Sequence, residues 1–183
     1  MTRRTLAFEV TFYTPLTSGA ALGRDGFDIA LHPDPIGGDT LKGAMRHAAR
    51  DLVPDWLRDQ TFGRAGRPSP WHWSPLRATE GWNSSNRYRV PIDPATGAAV
   101  EKELVRAEYA WPGRGAFVCT QIGSDHDCEQ TELALIVAAR SLSALGAWTN
   151  RAYGWVDLVP VDEHGTEITL TDADLDAIME WSA

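Results

Sequence analysis

The amino-acid sequence predicts an α+β fold of the ferredoxin-like (RRM-like) type, with its elements in the order βαββαβ. A segment with two-residue alternation opens the chain at residues 5–13. Two segments, about 39–52 and 129–145, place apolar residues at spacings of three and four, which predicts helices. A hairpin and further strands lie between and after these helices. This order is that of a ferredoxin-like domain with insertions after the first strand and the first helix.

The first strand is predicted to be half-buried, because every second residue from Leu6 to Phe12 is apolar. Residues 14–38 then contain three prolines and five glycines, which predicts a long loop. Loops of this length inside compact domains are usually functional or disordered. The first insertion is therefore a place to look for a site.

The first helix is predicted to begin at a cap formed by Asp39 or Thr40 and to continue to about Leu52. Pro54 ends it, and residues 55–62 add a short helical turn. One face of the helix is apolar, and an adjoining face is basic at every fourth position. These basic residues are Lys42, Arg46 and Arg50.

The second insertion is predicted to be irregular over residues 64–86, which contain several of the eight tryptophans. Residues 87–92 and 99–108 then predict a hairpin around the turn at 93–97, where a proline is followed by a closing glycine. The tryptophans of this region suit burial in a core or an interface, and base stacking is the alternative.

The remaining elements are a strand at 115–122, the helix at 129–145, a last core strand at 151–160 and a short acidic helix near the C-terminus. Gly146 is predicted to end the longer helix at its C′ position. Thr171 is predicted to cap the acidic helix.

The length of 183 residues predicts one domain over residues 1–160, with insertions at about 14–38 and 64–108, and a tail at 161–183. No apolar run approaches the ~20 residues needed to cross a bilayer, and no signal core follows the N-terminus. We therefore expect a cytoplasmic protein. The two cysteines are expected to be reduced structural thiols.

The net charge of −8 does not by itself indicate a nucleic-acid-binding protein, which usually has a basic surplus. The charges are unevenly placed, however. Most lysines and arginines lie before residue 90, and none follows Asp157. Such a chain can present one basic groove while its other faces are acidic.

Four segments occur in an order that is specific when they are taken together. The first is Pro35–Arg46, with the sequence PIGGDTLKGAMR, and the second is Thr61–Gly63. The third is Arg89–Ala99, with the sequence RVPIDPATGAA, and the fourth runs from Leu145 to Val156. Together they resemble the RAMP superfamily, and specifically the backbone subunits of type III CRISPR complexes. The sequence departs from the family's pattern in two of these motifs. In the first, a glycine and Asp-Thr stand where the family usually has Pro and Ser-Ser. In the fourth, alanine stands at two positions where glycine is common.

The resemblance implies a guide RNA (crRNA)-binding subunit that takes part in antiviral defence by targeting complementary RNA. It implies as partners crRNA, target RNA, other CRISPR effector subunits and further copies of the chain in a filament. It also implies that the hairpin is a thumb that enters the guide–target duplex. A hairpin that packs on its own domain remains the alternative.

The first and fourth motifs suit phosphate binding, because glycines allow close approach and a helix N-terminus offers free N–H groups. An ordinary capped helix with a solvated basic face is the alternative interpretation. The candidate RNA-binding residues are Gly37, Gly38, Thr40, Lys42, Arg46, Arg50, Arg89, Asn150, Arg151 and Tyr153.

The resemblance also implies that an Asp after the first strand cleaves target RNA with a divalent metal. Asp28 is the first choice and Asp25 the second, with Mg²⁺ held by Asp28. Three alternatives remain open: a structural or end-cap subunit without chemistry, a guide-processing ribonuclease using His32 or His47, and a ferredoxin-like protein unrelated to nucleic acid.

Overall fold

The computed structural model describes residues 4–18, 27–122, 128–162 and 164–181. Seven strands and four α-helices are described in these ranges. In chain order they are β1 (Thr5–Phe12), α1 (Gly38–Ala48), α2 (Asp55–Phe62), β2 (Trp71–Trp73), β3 (Arg77–Ala78), β4 (Ser84–Arg89), β5 (Val105–Ala110), β6 (Arg114–Gln121), α3 (Cys128–Ser141), β7 (Val156–Val161) and α4 (Asp172–Glu180).

The main sheet is antiparallel and has the strand order β2–β6–β1–β7, with β3 also paired to β6. Strand β1 is central, so that Phe8 lies opposite Phe117 of β6 and Pro160 of β7. If the core strands β1, β2, β6 and β7 are numbered 1 to 4 in chain order, their order across the sheet is 4-1-3-2. A βαββαβ chain produces this order when each of its two helices connects strands that are not neighbours in the sheet. The predicted ferredoxin-like fold class is confirmed.

The core lies between the main sheet and helices α1 and α3. Phe8 stacks on Phe117 with ring centroids 4.9 Å apart, and Leu41 and Leu135 pack from the two helices with no exposed surface. The alternation seen in the sequence puts Phe8 inside and Glu9 on the opposite, exposed face. No helix among the described residues is long and apolar enough to cross a membrane.

The second core strand, β2, lies inside the segment that was predicted to be irregular. Trp71 and Trp73 are buried and His72 between them is exposed, so the strand alternates as expected. Three residues are too few for a periodic pattern to be recognised in a sequence. Trp71 Nε1 donates a hydrogen bond to Thr131 Oγ1 over 3.3 Å, and Trp73 stacks on Phe117. Both tryptophans therefore belong to the core.

The start of α1 differs from the prediction. Its N-cap is Gly37, without a side-chain cap, while Asp39 and Thr40 lie in the first turn. Gly38 packs so closely on β2 that an added Cβ would lie 2.3 Å from the carbonyl oxygen of Trp73. Tertiary packing therefore fixes this helix end, and the local capping preference does not.

The end of α3 also differs from the prediction, because the helix stops at Ser141, well before Gly146. Ala144 pairs with Trp155, and the N–H of Ala147 donates to the carbonyl of Thr17 over 2.8 Å. These contacts draw the chain out of the helix. Residues 149–151 then form a 3₁₀ turn, so β7 begins at Val156 instead of 151.

The predicted hairpin is present and forms a separate two-stranded sheet from β4 and β5. The pairing extends toward the tip, where Ile92 lies opposite Ala99. At the turn, Asp93 Oδ1 accepts a hydrogen bond from the N–H of Ala95 over 2.8 Å, and Gly97 has a φ of +67°. The turn chemistry seen in the sequence therefore closes this hairpin.

The hairpin projects several large apolar side chains into solvent while its base is held by the loop after β1. Leu16 pairs with Ala110, and Ile29 pairs with Ala107. The exposed apolar residues are Tyr88, Val90, Ile92 and Leu104.

The C-terminal helix begins as predicted, with Thr171 and Asp174 forming a reciprocal capping box. Cys119 and Cys128 are buried thiols, and Cys128 Sγ donates to Gln121 Oε1 over 2.9 Å. Burial raises the pKa of the Cys119 thiol well above its usual value, so this thiol stays protonated.

Candidate nucleic-acid interface

A cleft of about 360 Å³ lies between the tip-side ends of β4 and β5 and the 3₁₀ turn after α3. Its walls combine apolar side chains with two arginines and one indole. The lining residues are Ile29, Arg89, Val90, Pro91, Val105, Trp148 and Arg151. The fold thus brings Arg89 of the third sequence motif next to Arg151 of the fourth.

Trp148 forms one wall of the cleft and has an unusual backbone. Its φ of +59° lies in the left-handed region, which costs of order 1–3 kcal/mol for a residue that is not glycine. The guanidinium carbon of Arg89 lies 4.4 Å from the indole centroid, and the ring of Tyr153 meets the indole edge-on at 5.7 Å. The indole is thus held in a defined position at the cleft.

Trp148 was not among the candidate residues predicted from the sequence. The prediction for the fourth motif depends on its glycines and on Arg151, and it does not include the residues between Ala147 and Asn150. A large aromatic residue three positions before Arg151, in a segment between Gly146 and Gly154, is the signal that indicates it.

The residues around Arg151 differ in their exposure. Asn150 and Arg151 are exposed at the turn, whereas Tyr153 is only 7% exposed. Arg87 Nη1 donates a hydrogen bond to the Tyr153 hydroxyl over 3.3 Å. Tyr153 therefore supports the cleft from beneath, and Asn150 and Arg151 are the members of this group that solvent reaches.

Gly154 fixes the path of the turn. It has a φ of +65°, and an added Cβ would lie 1.8 Å from the carbonyl oxygen of Leu145. Only glycine fits there, because both the backbone conformation and the space exclude a side chain. The glycine of the fourth motif is thus explained by packing.

The glycines of α1 have different causes. Gly38 is required by its contact with Trp73, as described above. At Gly37 and Gly43, in contrast, an added Cβ would meet nothing within 4 Å. A glycine inside a helix costs about 1 kcal/mol relative to alanine. Since no packing contact requires a glycine at position 43, the close approach of a ligand is a physical reason for a glycine there.

Thr40 and Lys42 lie on α1, with Thr40 exposed in the first turn. Lys42 Nζ makes an ion pair with Asp39 Oδ1 over 2.8 Å. A hydrogen bond from the Lys42 ammonium lowers the pKa of the Asp39 carboxyl. A phosphate that approaches Lys42 therefore competes with an internal counter-ion.

Arg46 joins α1 to the end of α2. Its Nη2 donates to Asp59 Oδ1 over 2.6 Å, and its Nη1 donates to the carbonyl oxygen of Gly63 over 2.6 Å. Gly63 has a φ of +81°, and an added Cβ would lie 2.5 Å from the N–H nitrogen of Ser69. This geometry gives the second motif and Arg46 a structural role. Contact of Arg46 with RNA stays a prediction, as it does for the exposed Arg50.

Among the described residues, the candidate site is thus divided into two groups. Arg89 and Arg151 meet at the cleft, with Tyr153 beneath them. None of the α1 candidates lines the cleft. Gly37, Thr40 and Lys42 instead form a second group at the beginning of α1.

Asp28 is exposed at the foot of the hairpin, and Asp25 lies outside the described residues. The Asp28 carboxylate accepts a hydrogen bond from the N–H of Arg106 through Oδ2 over 2.7 Å. The Asp28 N–H in turn donates to the Arg106 carbonyl over 2.9 Å. Asp28 therefore clips the loop after β1 to strand β5.

Mg²⁺ requires six oxygen ligands in octahedral geometry. Asp28 offers a single carboxylate, and Oδ2 is already bound to the backbone. In the part of the chain that the structure describes, no three His, Cys, Asp or Glu side chains are grouped so that they could hold a metal ion. Because Mg²⁺ is commonly bound through one or two carboxylates together with waters and substrate phosphates, its binding by Asp28 stays a prediction.

His32 and His47 are both exposed. The Nδ1 atom of His32 lies 2.9 Å from the carbonyl oxygen of Asp34, so this ring is bound within its own loop. His47 lies near the end of α1. The described contacts do not join the two histidines.

Comparison with known proteins places the chain in a family. The model of the RAMP superfamily matches residues 33–157, which is more than half of the chain. A chain in the cryo-EM structure of the type III-B Cmr-beta bound to cognate target RNA has a similar fold, with a TM-score of 0.63 and 16% identity. The match covers 85% of this chain and 58% of that longer chain. No curated protein matches the sequence. The chain belongs to the RAMP superfamily.

Proposed function

We propose that this protein binds RNA as a subunit of a type III CRISPR effector ribonucleoprotein, with guide crRNA as its principal ligand. Membership of the RAMP superfamily supports this proposal. So does the similar fold of a chain in the Cmr-beta structure bound to cognate target RNA. Because the chain spans 58% of that relative, its backbone position and its assembly with further copies belong to the same proposal.

The observation that carries the proposal is the cleft formed by Trp148, Arg89 and Arg151. An indole provides a face on which a base stacks, and such stacking is worth about 1–3 kcal/mol per base. Two guanidinium groups beside the indole supply the positive charge that attracts the RNA backbone. In this proposal Arg89 leaves the indole face when a base occupies it and pairs with a neighbouring phosphate.

The beginning of α1 provides a second backbone contact in this proposal. Gly37 and Gly43 leave open space above the helix, and Lys42 supplies charge beside it. The free N–H groups of the helix terminus favour an anion at this place. The hairpin, with Ile92 and Leu104 exposed, lies against the guide–target duplex.

The test compares Trp148→Ala with Trp56→Ala in the full-length protein. Trp56 is 55% exposed on α2 and does not line the cleft, so its substitution is a matched control. We expect Trp148→Ala to weaken binding of a fluorescein-labelled oligouridine of about 20 nucleotides by roughly tenfold in fluorescence anisotropy. We expect Trp56→Ala to bind like the wild type.

Equal affinities of the two variants would contradict the assignment of the cleft. A folded wild-type protein that binds neither this oligouridine nor any RNA when co-expressed with its genomic neighbours would contradict the proposed function as a whole. A uniform set of short RNAs with a shared repeat-derived end, recovered from that co-expression, is the expected result.

A further inference from the structure

A second groove, of about 300 Å³, lies where α2, α3 and α4 meet. Its walls are two tryptophans with smaller apolar side chains, and its rim is acidic. The lining residues are Trp56, Glu129, Gln130, Leu133, Ala177, Glu180 and Trp181. None of them belongs to the cleft described above.

The helices that form the groove also carry apolar side chains that the fold leaves exposed. Ile178 and Trp181 pack against the core and hold α4 in place. On the same helix Met179 is 72% exposed and Leu175 is 47% exposed, and Trp56 of α2 is 55% exposed. An exposed apolar patch with a polar rim marks a place of interaction with another protein.

The charge around the groove is negative. Helix α4 contains four carboxylates and no basic residue, and no lysine or arginine follows Arg151 in the sequence. The Glu129 side chain is 89% exposed, and among the described residues its ion-pair partner is Arg4, at 3.8 Å. The negative electrostatic potential of these carboxylates repels RNA and anionic lipid surfaces, so neither suits the groove.

We propose that this groove binds a lysine or arginine side chain on an apolar segment of another, basic protein subunit. The indoles of Trp56 and Trp181 offer faces to a cation, and Glu129 and Glu180 neutralise its charge. The surrounding apolar residues cover the rest of the segment. A second copy of this chain, with its own net charge of −8, is the less complementary occupant.

The first test reverses the charge of the rim in the complex co-expressed with its genomic neighbours. Glu129→Lys with Glu180→Lys changes the net charge from −8 to −4, since each substitution adds two charges. Glu9→Lys with Asp157→Lys makes the same change on the exposed face of the main sheet. We expect the first pair to reduce recovery of one partner subunit about tenfold and the second pair to leave it unchanged.

The second test identifies the residue that enters the groove. A photo-reactive benzoylphenylalanine at Gln130 is expected to crosslink to a peptide of another subunit that contains lysine or arginine. The same group at Asp157 is expected to give no such product. Substitution of the crosslinked basic residue by Glu is expected to restore recovery with the Glu129→Lys, Glu180→Lys variant.

Three results would overturn the proposal: equal recovery in both charge-reversal variants, crosslinking to RNA or to a second copy of the chain, or crosslinking to a segment without basic residues. RNA content is measured in the same samples. Loss of the partner with RNA retained separates this inference from the proposed function, whose failure would remove the RNA from every sample.

Discussion

At the scale of single residues, Asp28 combines a structural contact with a predicted catalytic role. Its carboxylate holds the backbone of Arg106, and an Asn side chain can keep that acceptor while it loses the charge. We expect Asp28→Asn to leave the free energy of unfolding unchanged. We expect Asp28→Ala to lower it by about 1 kcal/mol, because the Arg106 N–H loses its partner. Urea denaturation of both variants measures this difference.

The same pair of variants tests catalysis in the assembled complex. Loss of target-RNA cleavage in the stable Asp28→Asn variant would support the prediction that Asp28 cleaves RNA. Unchanged cleavage by Asp28→Asn would contradict it and would leave Asp28 as the clip of the hairpin. Equal stability of the Asn and Ala variants would contradict the clip.

Several candidate residues could be predicted from the sequence because their chemistry is local. The turn at Asp93–Gly97 and the cap at Thr171 depend on neighbours within four residues, and both form as predicted. The hydrogen bonds of Arg46 with Asp59 and Gly63 could not be predicted in this way. Its partners Asp59 and Gly63 lie 13 and 17 residues along the chain and meet it only after α1 and α2 pack.

At the scale of secondary-structure elements, the contact of Arg46 with Asp59 and Gly63 fixes α1 against α2. We expect Arg46→Ala to lower the free energy of unfolding by about 1–3 kcal/mol, because the Gly63 carbonyl loses a charged donor. Arg50→Ala, just after the end of α1 and exposed, is the matched control and is expected to change stability by less than about 0.5 kcal/mol. Similar effects of the two substitutions would contradict this role.

The pH dependence of stability follows from the same contact. The Arg46 guanidinium holds the pKa of the Asp59 carboxyl below its usual value. The stabilisation is therefore complete above the unfolded pKa, about 4, and is lost as the pH falls through the folded pKa. In thermal unfolding, the difference between wild type and Asp59→Asn should accordingly shrink below about pH 4.

Elements were predictable where a pattern was long enough to recognise. Strand β1 shows four alternating apolar residues, and α3 shows several helical turns. Strand β2 has only three residues, and its place at the sheet edge is set by pairing with β6. The end of α3 is likewise set by a distant contact, from Ala147 to Thr17, which no local signal could indicate.

At the scale of the whole molecule, an acidic chain can bind RNA only if its charges are segregated. The candidate RNA-binding cations are Lys42 and Arg50, on and just after α1, and Arg89 and Arg151, at the cleft. Of the four carboxylates of α4, Glu180 lines the groove with Trp56 and Trp181, and none of the four lines the cleft. The excess of acid in the last third of the sequence therefore does not contradict a local basic surface.

This segregation predicts the salt dependence of RNA binding. For a single strand, the logarithm of affinity falls with the logarithm of salt concentration by about 0.7 for each phosphate contact, so four contacts give a slope of about −3. We expect Arg151→Gln to reduce the slope by about 0.7. Arg140→Gln, on α3 and paired with Glu167 over 2.5 Å, is expected to leave it unchanged. A wild-type slope near zero, or equal slopes for the two variants, would show that the cleft does not read the RNA backbone, because phosphate contact is the interaction that releases counter-ions.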